Sequence, residues 1–355
     1  MGRDGSRQAL DAAACRAVDS TGQIAETLGL HEHLRDALWR VDSAAAAPVD
    51  AHGGLIVAGM GGSSVGGRLA AGALGPRLRR PLALAMGYDI PPWIGPETLV
   101  LCSSYSGATE ETLATYDAAK AAGAPRLVAT TGGPLAERAR ADGVAVVPLP
   151  GGFQPRVAVG YSLVTALEAA ALCGAAPSLR DDVEAAAALA EELAREWGPD
   201  GAEDGEAKRI ARALDGTIPV ITGTGLTASV AYRWKCQINE NAEIPAFASK
   251  LPEHDHNEIV GWAGAERRLS AVFLEDPQAA ERVVRRVAVT AELAAQGAAV
   301  VERVSARGDT RLERLVSLVL LGDLVSMYMA VLRGVDPVDV RAIDVLKERL
   351  AAARA

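Results

Sequence analysis

Cysteine is scarce: Cys15, Cys102, Cys173 and Cys236 are the only four in 355 residues, and they lie far apart with no CxxC pair. That spacing excludes a disulfide framework and a zinc knuckle, and it predicts reduced, mostly buried thiols. Positive charge is also short. With 36 Lys+Arg against 45 Asp+Glu the formal net charge is -9, so the basic excess that sequence-independent nucleic-acid binding relies on is missing. The opening stretch Met1-Gly2-Arg3-Asp4-Gly5-Ser6-Arg7 lacks the apolar core of a signal peptide, and no later run reads as long and uncharged enough to span a bilayer. The expectation is a soluble, cytoplasmic protein with neither a nucleic-acid nor a membrane partner.

What the chain has is apolar content, 49% of its residues, enough for one large core and room for two. It also has two unusual junctions. Gly59-Met60-Gly61-Gly62-Ser63-Ser64 and Ser103-Ser104-Tyr105-Ser106-Gly107-Ala108-Thr109-Glu110 each follow an apolar run and precede helix-forming sequence. Hydroxyls and bare backbone at a strand-to-helix turn can hold an anion, because the first N–H groups of a helix have no partner within it and the helix dipole adds attraction. A phosphate monoester is the expected guest.

Strands are expected at 54–58, 80–85, 98–102, 126–129 and 144–149, with helices between them, the clearest at 110–122 and 135–141. This alternation implies a parallel sheet covered on both faces. A long helical passage at 162–196 and a turn-rich segment at Gly198-Pro199-Asp200-Gly201 then separate a second cycle, with strands at 217–222, 268–274 and 298–304. The expected organisation is N-terminal helices (1–46) packed on a first domain (47–160), connecting helices and linker (161–210), a second domain (211–335) and a C-terminal helix (336–355). The apolar stretch 312–332 reads as a buried core helix, given Gly322-Asp323 and its flanking charges.

Six stretches, taken in order, resemble one family: Gly59 to Ser64, Ser104 to Thr109, Gln154-Pro155-Arg156, Asn239-Glu240-Asn241, His256-Asn257-Glu258 and Leu346-Lys347. Together they are similar to two-domain sugar isomerase (SIS) proteins, and within these to the bifunctional phosphoglucose/phosphomannose isomerases. The resemblance implies an α/β fold with two SIS-type domains, each a mostly parallel sheet flanked by helices. It also implies an enzyme that interconverts glucose 6-phosphate, and mannose 6-phosphate, with fructose 6-phosphate through a cis-enediolate, with no cofactor and no metal.

By this resemblance Glu240 is the base that moves a proton between C2 and C1, and His256 opens the sugar ring, an imidazole being suited to reversible proton transfer near neutrality. Arg156 faces the reacting carbons, where a planar, permanently charged fork can stabilise the enediolate. Lys347 reaches the substrate from the C-terminal helix. Gly62, Ser63, Ser104, Ser106 and Thr109 bind the phosphate. In the family the histidine reaches the site of the other subunit, so a homodimer is expected. One departure concerns Asp336-Pro337-Val338, where family members often carry threonine after the proline in a region linked to accepting both C2 epimers.

Other readings of the same residues remain. Ordinary helix capping accounts for many serines and threonines at such turns. Glu253-His254-Asp255-His256 reads as a metal site only if a third ligand joins it. A dinucleotide-dependent oxidoreductase would use the glycines near Gly59, but Ser64 stands where the third fingerprint glycine belongs. A sugar-phosphate sensor would keep the fold and bind without turnover.

Overall fold

The computed structural model describes residues 8–352; the polar opening stretch 1–7 and the last residues, 353–355, lie outside the described residues. Among the described residues nine strands form two sheets: β1 (Gly54–Ala58), β2 (Leu82–Ala85), β3 (Thr98–Ser103), β4 (Arg126–Thr130) and β5 (Val146–Pro148), then β6 (Ile218–Thr224), β7 (Phe247–Leu251), β8 (Leu269–Glu275) and β9 (Val301–Ser305). The first sheet runs β2-β1-β3-β4-β5 and the second β7-β6-β8-β9. Every pairing is parallel. β1 and β3 are buried along their whole length, as their near-continuous apolar sequences require of strands covered on both faces. The expected α/β class with two parallel sheets is therefore the observed one.

Two elements depart from expectation. β7 was not foreseen: Phe247-Ala248-Ser249-Lys250-Leu251 carries little β-branched sequence and leaves Phe247, Ala248 and Lys250 exposed, which an edge strand tolerates because one side has no neighbour. The passage at 162–196 is two helices, Val159–Leu172 and Arg180–Trp197, parted at Gly174, which has φ +69°, and at Pro177. Pro cannot continue a helix, and Gly takes a left-handed φ that other residues avoid.

The Arg311–Arg333 helix forms the spine of the molecule. It starts with a full capping box between Thr310 and Glu313 and ends at Gly334 in the left-handed region. It is the one helix among the described residues long and apolar enough to cross a membrane, and its apolar window is wholly buried in protein. Against it pack the Ala12–Val18, Gln23–Leu28, Arg180–Trp197 and Leu226–Asn241 helices, while Leu30–Ser43 packs on Val159–Leu172. The N-terminal helices thus touch both halves. The Gly62–Leu74 helix meets Leu226–Asn241 closely: a Cβ on Gly72 would lie 2.4 Å from Ser229 Oγ. That approach brings the end of β1 near the helix carrying Glu240.

Candidate active site

The two turns singled out in the sequence sit side by side at the carboxyl ends of adjacent strands, since β1 and β3 pair through Ala58 and Cys102. This is the usual crevice for ligands in open parallel sheets. Gly61, at φ 52°, starts the Gly62–Leu74 helix, and Thr109 starts Glu110–Ala121; neither supplies a side-chain capping bond. Ordinary capping therefore does not explain Thr109. Its hydroxyl pairs with Ser104 Oγ at 2.9 Å, and Ser104 Oγ also accepts the Gly107 N–H at 3.1 Å. Ser106 is exposed and accepts the Ala108 N–H. Ser63 Oγ accepts the Tyr105 N–H at 3.3 Å, joining the two turns.

Gly62 links these turns to the arginine. A Cβ at Gly62 would lie 2.7 Å from the Pro155 carbonyl and 3.3 Å from Arg156 Cα, so the 150–156 turn rests on the start of the helix only because residue 62 is bare. Arg156 is 5% exposed. Its Nε donates to Asn241 Oδ1 at 2.8 Å, Nη2 donates to Gln23 Oε1 at 3.3 Å and to the Pro337 carbonyl, and Nη1 faces Glu240 Oε2 at 3.4 Å. Burial lowers the Arg156 pKa, the Glu240 charge opposes that, and Arg233 adds to the lowering. Arginine starts so high that the guanidinium keeps its charge.

Beneath this pair lies a second one. Arg233 donates to Asp323 through Nε at 2.9 Å and Nη2 at 2.6 Å, and to the Arg156 carbonyl at 2.9 Å. Burial pushes the Asp323 carboxyl up while Arg233 opposes it. Asn241 in turn donates to Ser326 at 2.9 Å. Glu240 itself, with its side chain 32% exposed, lines a cleft of about 620 Å³ with Asn239, Glu243, Pro245 and the segment 339–343.

The structure thus brings together Gly62, Ser63, Ser104, Ser106 and Thr109 at one end and Arg156 with Glu240 at the other. His256 does not join them within one chain: it is exposed on the short turn after β7 and does not line the Glu240 cleft. Lys347 is likewise exposed, on the Arg341–Ala352 helix whose first residues border that cleft. His254 is a core residue, 0% exposed; Trp262 Nε1 donates to its Nε2 at 3.1 Å, which takes up the lone pair a metal would need. Gln23, the Pro337 carbonyl and the Arg233–Asp323 pair were missed from sequence. Asn241 alone carried a signal, its place beside Glu240.

Comparison with known proteins places the chain in a family. The chain is 37% identical over 302 residues to a bifunctional phosphoglucose/phosphomannose isomerase of Caldicellulosiruptor bescii, covering 84% of this chain and 89% of the relative. It is 38% identical over 300 residues to one of Aquifex aeolicus, covering 84% and 90%. The chain belongs to this family. Residues 203–350 match the family model described as bacterial phospho-glucose isomerase C-terminal SIS domain. Among solved structures, a hypothetical protein of Thermus thermophilus superposes with a TM-score of 0.73 at 16% identity, over 97% of this chain and 94% of that one, which speaks to the fold alone.

Proposed function

We propose that the protein is an aldose–ketose isomerase that interconverts glucose 6-phosphate and mannose 6-phosphate with fructose 6-phosphate through a cis-enediolate. The observation that carries this reading is the buried Arg156 fork held 3.4 Å from Glu240, on a turn seated against the helix start at Gly62. The sugar phosphate lies with its anion on Ser104, Ser106, Thr109, Ser63 and the Gly62 backbone, and its C1–C2 end over Glu240. Glu240 takes the C2 proton as a carboxylate and returns it at C1. Arg156, whose other donors are already engaged, turns Nη1 toward the negative charge that develops on the oxygens at C1 and C2, at no reorganisation cost during the reaction.

His256 opens the ring in this reading from a second copy of the chain, since it does not line the Glu240 cleft of its own; a homodimer is then the active form. Lys347 reaches the substrate in this reading from the Arg341–Ala352 helix, whose first residues border the cleft. The Pro337 carbonyl that holds Arg156 immediately precedes Val338, so the epimer-linked segment adjoins the reacting end. A coupled assay supplying glucose 6-phosphate and mannose 6-phosphate separately measures the two activities. The decisive variant is Glu240→Gln, which keeps shape but cannot take a proton. Turnover should fall by about a thousandfold or more, of the order seen when an essential proton-transfer group is lost, while KM changes little. Near-native turnover would mean that another base acts.

A further inference from the structure

One side chain at the junction of the two ends of the site has no role in the reaction as written. The main chain of Tyr105 is held by both neighbouring strands' turns: its N–H donates to Ser63 Oγ at 3.3 Å, and its carbonyl accepts from Thr131 N at 3.1 Å and Thr131 Oγ1 at 2.8 Å. Its phenol leaves that turn altogether. The hydroxyl donates to the Pro150 carbonyl at 2.8 Å and accepts the Phe153 N–H at 2.9 Å. Both partners belong to the 150–155 turn that delivers Arg156.

That turn needs an external hold. Gly151 and Gly152 have open space around them, a Cβ at either meeting nothing within 4 Å, and Gly152 sits at φ +99°. Such a backbone has many conformations available. Besides Tyr105, the turn is fixed by Gly62 beneath Pro155 and by Phe153, whose ring meets His33 edge-on at 4.8 Å between centroids. Burial raises the Tyr105 phenol pKa, so the hydroxyl keeps the proton that Pro150 accepts.

We propose that Tyr105 is a positioning residue that ties the phosphate-holding turn to the turn bearing Arg156, and so sets the span between the anion site and the enediolate site. This rests on the isomerase reading above. The substrate's own carbon chain fixes how far its phosphate lies from C1 and C2, so the two pieces of protein must keep a matching separation. A misplacement of about 1 Å can cost on the order of a hundredfold in rate. Tyr105 flanks the phosphate-binding serines yet its hydroxyl makes both its bonds to the other end, which is what such a spacer requires.

The test is Tyr105→Phe, which removes the hydroxyl and keeps the ring. Four quantities are compared with the native protein: kcat, KM for fructose 6-phosphate, inhibition by inorganic phosphate, which probes the anion end alone, and inhibition by a five-carbon aldonate 5-phosphate, whose carboxylate imitates the enediolate and needs both ends. The expected result is a fall in kcat of roughly ten- to a hundredfold and a roughly tenfold weaker aldonate phosphate, with inorganic phosphate changed less than about twofold. Adding Gly151→Ala, which stiffens the turn, should recover part of kcat. Equal weakening of both inhibitors, no change in either, or no recovery with the stiffened turn overturns the proposal. Failure of inorganic phosphate to inhibit the native protein instead overturns the phosphate-site reading itself.

Discussion

The two halves of the molecule contain the same unit used in opposite ways. In each sheet the second strand from the edge, β1 or β6, runs into a glycine at φ 52° and a helix, Gly62–Leu74 or Leu226–Asn241. The next strand, β3 or β8, lies beside it. In the first half the turn after β3 is Ser104-Tyr105-Ser106-Gly107, whose serine hydroxyls bond to the Thr109 hydroxyl and to the Gly107 and Ala108 N–H groups. In the second half β8 ends at Glu275 and the turn after it starts with Asp276-Pro277, and these charges are already matched: Asp276 accepts from Arg314 at 2.8 Å and from the Gln278 N–H at 3.0 Å, and Glu275 accepts from Arg303. Two carboxylates repel a phosphate. In the proposed reading the second half works from the far end of its helix, at Glu240, and its strand ends are closed with its own side chains.

Asp276→Ala gives the largest effect that would sharpen this contrast. Asp276 and Arg314 are 8% and 4% exposed, and removing one partner of a buried pair leaves the other charge uncompensated, at a cost of about 3–5 kcal/mol. Denaturant unfolding should report that loss, while KM for fructose 6-phosphate in the folded protein stays native. An unchanged unfolding midpoint with a raised KM would place the second turn in contact with substrate and erase the distinction.

A pH effect separates the halves next. His33, in the first half, is 5% exposed, packs on Phe153 and Tyr161, and leaves Nδ1 without a partner. Burial drops its pKa from an ordinary value of 6.5 to about 4. The unfolded chain thus binds a proton at a higher pH than the folded one, and stability is full above pH 6.5 and falls as pH drops through 6.5 toward 4. The loss is on the order of 3 kcal/mol, from 1.36 kcal/mol per pKa unit. His33→Phe should remove that share of the acid sensitivity, read as the difference between unfolding free energies near neutrality and near the lower end of that range. An equal acid loss in the variant would show that other groups govern it.

Much of this contrast was legible in the chain because it depends on residue type at strand ends. Gly61, Gly62, Ser104 and Thr109 announce an open turn, and Glu240 with Asn241 announces a polar helix end. What stayed hidden depends on packing across hundreds of residues. Nothing near Gln23 marks it as a partner of Arg156, and the Pro337 carbonyl is a backbone atom with no residue signature. Tyr105 reads as one more aromatic between serines until the 150–155 turn folds onto it. β7 was missed for a related reason: an edge strand is half exposed, so its sequence need not alternate. The Glu253-His254-Asp255-His256 motif misleads in the other direction, since His254 faces Trp262 in the core and His256 is exposed.

The smallest effect divides the halves most cleanly, because two hydroxyls, one from a strand-end turn of each half, should fail differently. Thr227, in the first turn of Leu226–Asn241, is 0% exposed; its Oγ1 accepts the Thr224 N–H at 2.9 Å and donates to the Leu274 carbonyl at 2.8 Å. Thr227→Val leaves those two backbone groups unpaired and should cost about 1–2 kcal/mol of stability with KM unchanged. Ser104→Ala removes a hydroxyl that Gly107 and Thr109 share, and should instead raise KM about tenfold, the equivalent of about 1.4 kcal/mol. Its unfolding free energy should move by less than about 1 kcal/mol, since the Gly107 N–H keeps the Ser104 carbonyl at 3.1 Å and, in the proposed reading, substrate completes the site. Matching signatures for the two variants would mean that both turns are structural, and the anion would then have to bind elsewhere.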